Sequence, residues 1–213
     1  MGPRKKWFER YYWFFSSNNI LVIAGKSARN NETILKRYTR PQDLVLHADF
    51  PSPFVVIRND LNQVLPAETI YEAAVFAANY SEAWEKKMET EQISVFYVKP
   101  EQVVKPDGAG KGIFEIIGEK KYLEKIEPRL SIGMKQEEVF NAKLIFGPPT
   151  AVKTHTPYLV TITPGETDAK ALAEEIKKEL LLKVCPEISK PTEAIGLKEI
   201  EKIIPFKKGE LVR

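Results

Sequence analysis

The sequence contains few of the side chains that form disulfides or bind metal ions. Its single cysteine, Cys185, has no partner for an intramolecular disulfide, so the composition gives no sign of an oxidising compartment. The two histidines, His47 and His155, are far apart in sequence, and no set of side chains has the spacing of a metal site. We therefore expect no metal ion and no other cofactor.

Long apolar runs are absent as well. No stretch reaches the roughly 18–20 apolar residues that span a bilayer. The chain begins with MGPRKKWFERYYWFF, in which Glu9 and Arg10 interrupt the apolar run, so this segment lacks the pattern of a signal peptide. Hydrophobic content of 43% and charged content of 29% are those of an ordinary globular protein. We expect a cytoplasmic protein without a membrane partner.

Positive charge is concentrated at the start of the chain. The net charge is only +3, but residues 1–60 carry ten basic and five acidic side chains. A basic segment that also holds aromatic side chains is a weak indication of nucleic-acid binding. A solvated surface is the commoner explanation of charge alone, so composition leaves both interpretations open.

Apolar periodicity predicts short strands that alternate with helices. Residues 11–15 and 20–24 form a hairpin, and Ser27 caps a helix over residues 28–38. Further strands are expected at residues 44–47, 54–57, 94–98, 113–117, 122–126, 130–134, 139–146 and 158–162, and further helices from Pro66 and over residues 167–182 and 192–203, before a polar tail.

This pattern predicts an α+β (mixed α/β) fold. Two or three helices are expected to pack on a mixed or mainly antiparallel sheet. Residues 1–126 are expected to form the core domain. Residues 127–213 are expected to form a smaller C-terminal α/β extension that packs on this core.

His47 and Asp49 are the one histidine–carboxylate pair that lies close in sequence. Two residues apart in a strand, their side chains share a face, so the aspartate can orient the histidine for general-base catalysis or join it in a metal site. No nucleophile motif and no third ligand accompany them. A structural pair, or one that contacts a sugar-phosphate, is the favoured interpretation, and no residue is predicted to be catalytic.

Two segments have the composition of phosphate sites. Gly25-Lys26-Ser27 precedes the first helix, where free amides, a hydroxyl and an ammonium group can meet a phosphate. Capping alone also explains Ser27, since the common phosphate-binding glycine motifs are absent. The loop over residues 99–112 is rich in proline and glycine and holds three lysines, which gain most from phosphate partners.

Five segments of the first 126 residues are similar to the motifs of a known family, and they occur in the same order. They are WFFSSNNILVIAGKSARNNETILKRY, DLVLHADFPSPFVVI, ETIYEAAVFAANYSEAW, VFYVKPEQVVK and GKGIFEIIGEKKYL. The series resembles the NFACT-R domain, the RNA-binding module of the NEMF, Caliban, FbpA and RqcH proteins. Similarity to archaeal members continues through GPPTAVKTHTPYLVTITPG and LKEIEKIIP, so the resemblance covers nearly the whole chain.

The resemblance implies RNA binding, to tRNA or rRNA, in ribosome-associated quality control on large ribosomal subunits that carry a stalled peptidyl-tRNA. The family's amino-terminal domain, helix-hairpin-helix and coiled coil are absent from this sequence. We therefore expect either a free-standing module or a fragment that does not elongate C-terminal tails alone. The implied partners are RNA, the large ribosomal subunit and a separately encoded NFACT amino-terminal domain.

The candidate RNA-binding residues come from the family's motif positions and from the basic helix. They are Gly25, Lys26, Arg29, Asn31, Lys36, Arg37, His47, Asp49, Ser52, Lys99, Gln102 and Lys105. Glu32 also matches a motif position. The segment Phe50-Pro51-Ser52-Pro53 lacks the family's glycine, and Val104 replaces a serine whose hydroxyl is suited to phosphate.

Three functions are compatible with the sequence. The first is a non-enzymatic RNA-binding module, which predicts that the basic helix and the lysines of residues 99–111 share one surface. The second is an enzyme that uses His47 and Asp49 on a nucleotide or an RNA phosphodiester, and it needs a cleft. The third is a protein–protein adaptor, which needs an exposed apolar patch formed by Trp7, Phe8 and Tyr11.

Overall fold

The computed structural model describes residues 6–138 and 141–212. The first eight strands are β1 (Tyr12–Phe15), β2 (Leu21–Ala24), β3 (Leu44–Ala48), β4 (Val55–Ile57), β5 (Val95–Val98), β6 (Val103–Val104), β7 (Glu115–Ile116) and β8 (Lys121–Leu123). Six of them form one sheet in the order β1-β2-β4-β3-β5-β8, and β6 pairs with β7 in a short ribbon. All of these pairs are antiparallel.

The predicted hairpin opens this sheet. Tyr12 lies opposite Ala24, and Phe15 lies opposite Leu21. The hydroxyl of Ser16 accepts hydrogen bonds from two backbone amides of the turn, at 3.3 and 3.1 Å. Because the Ser16 hydroxyl satisfies two amides of the turn, the chain reverses here and the two apolar strands can pair directly.

The six-stranded sheet is buried on both faces. Side chains such as Val22, Leu46 and Val55 belong to the core under helix α2, while their strand neighbours Ile23 and Val45 belong to a second core on the opposite face. Ile34, Leu35 and Tyr38, which follow helix α1 (Ala28–Thr33), pack into that second core. Helix α2 spans Ala67–Asn79. Alternate residues of a strand point to opposite faces, so continuous apolar runs follow from this double burial.

A second antiparallel sheet follows along the chain. Its strands are β9 (Leu130–Glu138), β10 (Asn141–Gly147), β11 (Leu159–Asp168) and β12 (Lys208–Leu211), in the order β10-β9-β11-β12. The remaining helices are α3 (Glu82–Glu85), α4 (Pro149–His155), α5 (Ala169–Lys183), α6 (Pro186–Ala194) and α7 (Leu197–Glu201). The predicted α+β class with mainly antiparallel sheets is confirmed.

The C-terminal part differs from the expected pattern in four places. Helix α4 (Pro149–His155) lies in a segment for which no helix was expected. Strand β11 continues through Pro164 and Gly165, because a register shift against β12 between Thr163 and Thr167 accommodates them. The helix expected over residues 192–203 is two helices, α6 and α7. The expected polar tail is instead edge strand β12. Residues 139 and 140 of the strand expected at 139–146 lie outside the described residues.

Both sheets contribute to one apolar core. Trp84 is buried and donates a hydrogen bond from its indole Nε1–H to the carbonyl of Lys208 at 2.8 Å. Tyr80 donates its hydroxyl proton to the carbonyl of Ile203, also at 2.8 Å. The division expected at residue 126 falls between β8 and β9, and independent folding of the two parts stays a prediction. Among the described residues, no helix has the length and apolar character needed to cross a bilayer.

Replacing Trp84 with alanine tests how strongly the two sheets depend on each other. We expect Trp84→Ala to lower the free energy of unfolding by about 3–5 kcal/mol, since it empties a fully buried position. Denaturant unfolding measures this loss. Val64, which is 94% exposed, provides the control, because Val64→Ala should change stability by less than about 0.5 kcal/mol. Similar small effects of both changes would contradict the shared core.

Candidate nucleic-acid interface

The basic helix is built from an α-helical and a π-helical half. Ser27 caps it as predicted, with its hydroxyl accepting a hydrogen bond from the amide of Asn30 at 3.2 Å. After α1, residues Ile34–Tyr38 form a π-helical turn, which the amide of Thr39 closes on the carbonyl of Ile34 at 3.0 Å. Such turns are rare and frequently occur at functional sites. The predicted extent of the helix, residues 28–38, is confirmed.

Glu32 connects this helix to the lysine-rich loop. Its carboxylate accepts a hydrogen bond from Lys36 at 2.7 Å and one from the amide of Gly112 at 3.3 Å, and it pairs with Lys105 at 3.5 Å. The hydrogen bond from Lys36, followed by that from Gly112, lowers the pKa of Glu32 to about 2. Since the carboxylate stays ionised over the physiological range, it holds the loop against α1.

The loop approaches the helix too closely for a larger residue at position 112. A β-carbon added to Gly112 would lie 2.6 Å from Cβ of Ala28, and the φ angle of +77° is in the left-handed region, where glycine is favoured. Lys105 also donates to the carbonyl of Gly110, and its ammonium group lies 5.1 Å from the ring centre of Phe114. The position of the loop is therefore determined by contacts at several residues.

A groove of about 640 Å³ lies between α1 and this loop, and we call it the cationic groove. Its charged lining residues are Arg10, Arg29, Lys36, Arg37, Lys111 and the single carboxylate Glu32. Within residues 6–138 and 141–212, four of these cations form no ion pair, namely Arg10, Arg29, Arg37 and Lys111. The structure thus brings the basic helix and Lys111 of the lysine loop to one surface, with an excess of positive charge.

Gly25, Lys26, Asn31 and Ser52 line a separate, smaller pocket of about 360 Å³, here named the Lys26 pocket. Asn31 is 9% exposed, and its Oδ1 has no hydrogen-bond partner among the described residues. A β-carbon on Gly25 would collide with the Asn31 side chain, so only glycine fits beneath it. Burial, and secondarily the charge of Lys202, lower the pKa of Lys26.

His47 is half-buried and packs against two aromatic rings of the second core. Its ring centre lies 4.6 Å from that of Phe54 and 5.8 Å from that of Phe96, and its Nδ1–H donates to the carbonyl of Ala48 at 2.5 Å. Burial lowers its pKa, which favours the neutral ring. Asp49, in contrast, is exposed. This environment is that of a structural histidine rather than a general base.

Ser52, Gln102 and Lys99 occupy different surroundings. The hydroxyl of Ser52 accepts a hydrogen bond from the amide of Ala48 at 3.1 Å. The side-chain amide of Gln102 donates to the carbonyls of Ile117 and Glu119, at 3.0 and 2.8 Å. Both side chains therefore hold backbone segments in place, while Lys99 projects into solvent.

Sequence reasoning missed two contributors to this surface. Arg10 lines the cationic groove from a short 3₁₀ turn, Trp7–Arg10, and its only signal was the general basic character of the amino-terminal segment. Trp7 stacks on Tyr38, with ring centres 4.3 Å apart and an angle of 10° between the planes. Since the two residues are distant in sequence, no local pattern indicated this contact.

The family model described as NFACT protein RNA binding domain matches residues 10–118. This chain belongs to the NFACT-R family. The match includes α1, the lysine loop and the four unpaired cations of the cationic groove. The predicted resemblance is therefore confirmed, and the groove lies within the NFACT-R portion of the chain.

Two relatives extend the comparison. This NFACT-R chain is 39% identical over 141 residues to the Ribosome quality control complex subunit NEMF homolog of Drosophila melanogaster, a match that covers 63% of this chain and 14% of that protein. It is 34% identical over 179 residues to the Archaeal Rqc2 homolog aRqcH of Methanocaldococcus jannaschii, which covers 82% of this chain and 26% of that protein. The chain thus spans about a quarter or less of these relatives.

One solved structure is also similar to this NFACT-R chain. It is the C-terminal part of the fibronectin/fibrinogen-binding protein from Streptococcus suis, at 23% sequence identity and a TM-score of 0.48. The similarity covers 57% of this chain and 45% of that one.

The lowered pKa of Glu32 predicts how the thermal stability of the chain depends on pH. The carboxylate stabilises the folded chain fully above its unfolded-state pKa of about 4.5, and this contribution is lost as the pH falls toward about 2. We expect the wild type to exceed Glu32→Gln in thermal stability above about pH 5, and the difference to shrink as the pH falls and to vanish below about pH 2. Glu101→Gln, which removes only an exposed partner of Lys99, should give a curve parallel to the wild type. A Glu32→Gln curve that is also parallel would contradict the role of Glu32.

Proposed function

We propose that this chain is a non-catalytic module that binds RNA through the cationic groove, in ribosome-associated quality control on the large ribosomal subunit. The observation that carries the proposal is the convergence of Arg10, Arg29, Arg37 and Lys111, unpaired within the described residues, on one groove. Cations without carboxylate partners gain most from phosphate groups, because each contact releases counterions from the nucleic acid.

The remaining candidates divide into supporting and direct roles. Lys36 and Lys105 share Glu32, so they shape the groove as well as adding charge to it. Lys26 and Asn31 offer an ammonium and an amide group in the Lys26 pocket, where they are suited to one further phosphate. Lys99 and Asp49 are exposed and contact RNA only if it extends beyond the groove.

The names of the relatives support a ribosomal location for the proposed RNA binding. The Drosophila protein is named as a ribosome quality control complex subunit, and the archaeal protein as an Rqc2 homolog. We propose tRNA or rRNA as the bound RNA and the large ribosomal subunit as its location, which implies the cytoplasm. Because the chain spans only part of those relatives, we further propose that an NFACT amino-terminal domain acts as a partner.

Neither alternative function gains support from the geometry. An enzyme that uses His47 needs an accessible ring, but this ring packs against Phe54 and Phe96 and binds a backbone carbonyl. An adaptor needs an exposed patch at the amino-terminal aromatics, but Phe8 and Tyr11 are only 7% and 1% exposed. RNA binding through the cationic groove therefore remains the best-supported function.

Removing three of the unpaired cations tests the groove. We expect the combined change Arg29→Ala, Arg37→Ala and Lys111→Ala to weaken tRNA binding by about tenfold or more at low salt. It should also reduce the slope of log affinity against log salt by about one for each cation. Fluorescence anisotropy with labelled tRNA, titrated at several salt concentrations, measures both quantities.

A matched control removes the same charge elsewhere. Lys178, Lys190 and Lys198 are exposed on the C-terminal helices, and their combined replacement by alanine should leave most of the affinity. Equal losses of tRNA affinity in the two triple variants would show that net charge alone accounts for binding, and would contradict a site in the cationic groove. Failure of the wild type to bind tRNA or to co-sediment with large ribosomal subunits at low salt would overturn the proposal.

A further inference from the structure

A second groove, of about 550 Å³, lies beside the cationic groove. Its lining includes the rings of Trp7, Phe15 and Tyr38 and the guanidinium groups of Arg37 and Arg40. We call it the aromatic groove. Its volume lies within the range of sites that hold small molecules or single residues of a larger ligand, about 300–1,000 Å³.

A buried ion-pair network supports the aromatic wall. Arg58 pairs with Asp43 at 3.2 Å, and both side chains are nearly inaccessible to solvent. Arg58 also donates to the carbonyl of Tyr38 at 2.5 Å, and its guanidinium carbon lies 5.7 Å from the ring centre of Trp7. The stacked pair of Trp7 and Tyr38 is thus held in place before any ligand binds, which lowers the entropic cost of using it as a binding surface.

The π-helical turn joins the two grooves. It ends at Tyr38, so the residue before, Arg37, is placed where it lines both the cationic and the aromatic groove. Because the two grooves share Arg37, a phosphate bound to Arg37 lies next to the aromatic groove. The two neighbouring surfaces offer the two kinds of contact that a nucleotide makes, positive charge for phosphate and flat rings for the base.

We propose that the aromatic groove receives an unpaired base of the RNA whose phosphates lie in the cationic groove. The proposal rests on the proposed function and narrows its ligand, from RNA in general to a single-stranded loop, bulge or end next to a stem. Bases inside a duplex are stacked on each other and cannot enter, whereas an unpaired base packs against aromatic rings and arginine planes.

Two RNAs that share one stem test this proposal with the full chain. The first ends in an unpaired loop, and the second is a blunt duplex of the same stem. We expect the wild type to prefer the loop RNA, and Trp7→Leu, which keeps apolar bulk without the ring, to bind the loop RNA about fivefold or more weakly. Its affinity for the blunt duplex should not change. Leu182→Ala, at an exposed leucine of α5 that lines neither groove, serves as the control and should alter neither affinity.

A spectroscopic measurement on the wild type does not depend on how the variant folds. A 2-aminopurine placed in the loop should change its fluorescence on binding, and the tryptophan emission should be quenched by the loop RNA but not by the duplex. No change in either signal at saturating protein would overturn the proposal, as would equal affinity of the wild type for both RNAs. If only the triple cation variant loses affinity, and loses it for both RNAs, the proposed function stands and the aromatic groove is not a base site. If the wild type binds neither RNA, the proposed function itself fails.

Discussion

Burial of the first sheet on both faces is the constraint on which the rest of the structure depends. Strand β4 is apolar on both sides, so each face needs a cover. One face receives the long apolar helix α2. The other receives short segments, namely the 3₁₀ turn Trp7–Arg10, the π-helical turn after α1 and the lysine loop, and these must cover the core and carry the basic groups together. The proposed RNA surface is thus the outer side of a structural layer.

A layer this thin needs a strong local connection, and Glu32 supplies it. One carboxylate binds Lys36, Lys105 and the amide of Gly112. Exposed ion pairs usually contribute little, but several donors on one acceptor form a network. Because one acid holds the loop, Arg29 and Arg37 form no ion pair with any of the residues that the structure describes. The same arrangement therefore gives order to the loop and leaves free positive charge in the groove.

Local patterns predicted the parts of the fold that depend on local chemistry. The hairpin at residues 12–24 and the cap at Ser27 follow from turn residues and alternation, and the motif series identified the family. The run of β11 through Pro164 and Gly165 was missed, because the register shift that permits it depends on pairing with the distant strand β12. The Trp7–Tyr38 stack was also missed, because it too joins residues that are distant in sequence. The π-helical turn was not predicted, since an apolar period cannot distinguish five more α-helical residues from a π turn.

The C-terminal part is more than an appendage to the RNA surface. Lys202 influences Lys26 through its charge, and Phe206 lines the Lys26 pocket, although both lie beyond the residues that the family model matches. Trp84 and Tyr80, in turn, place their polar atoms on backbone carbonyls near the chain's end. The last residues therefore close the core under α2 and one wall of the candidate interface. Because Phe206 and Lys202 act at the Lys26 pocket directly, the C-terminal segment belongs to the surroundings of the proposed interface.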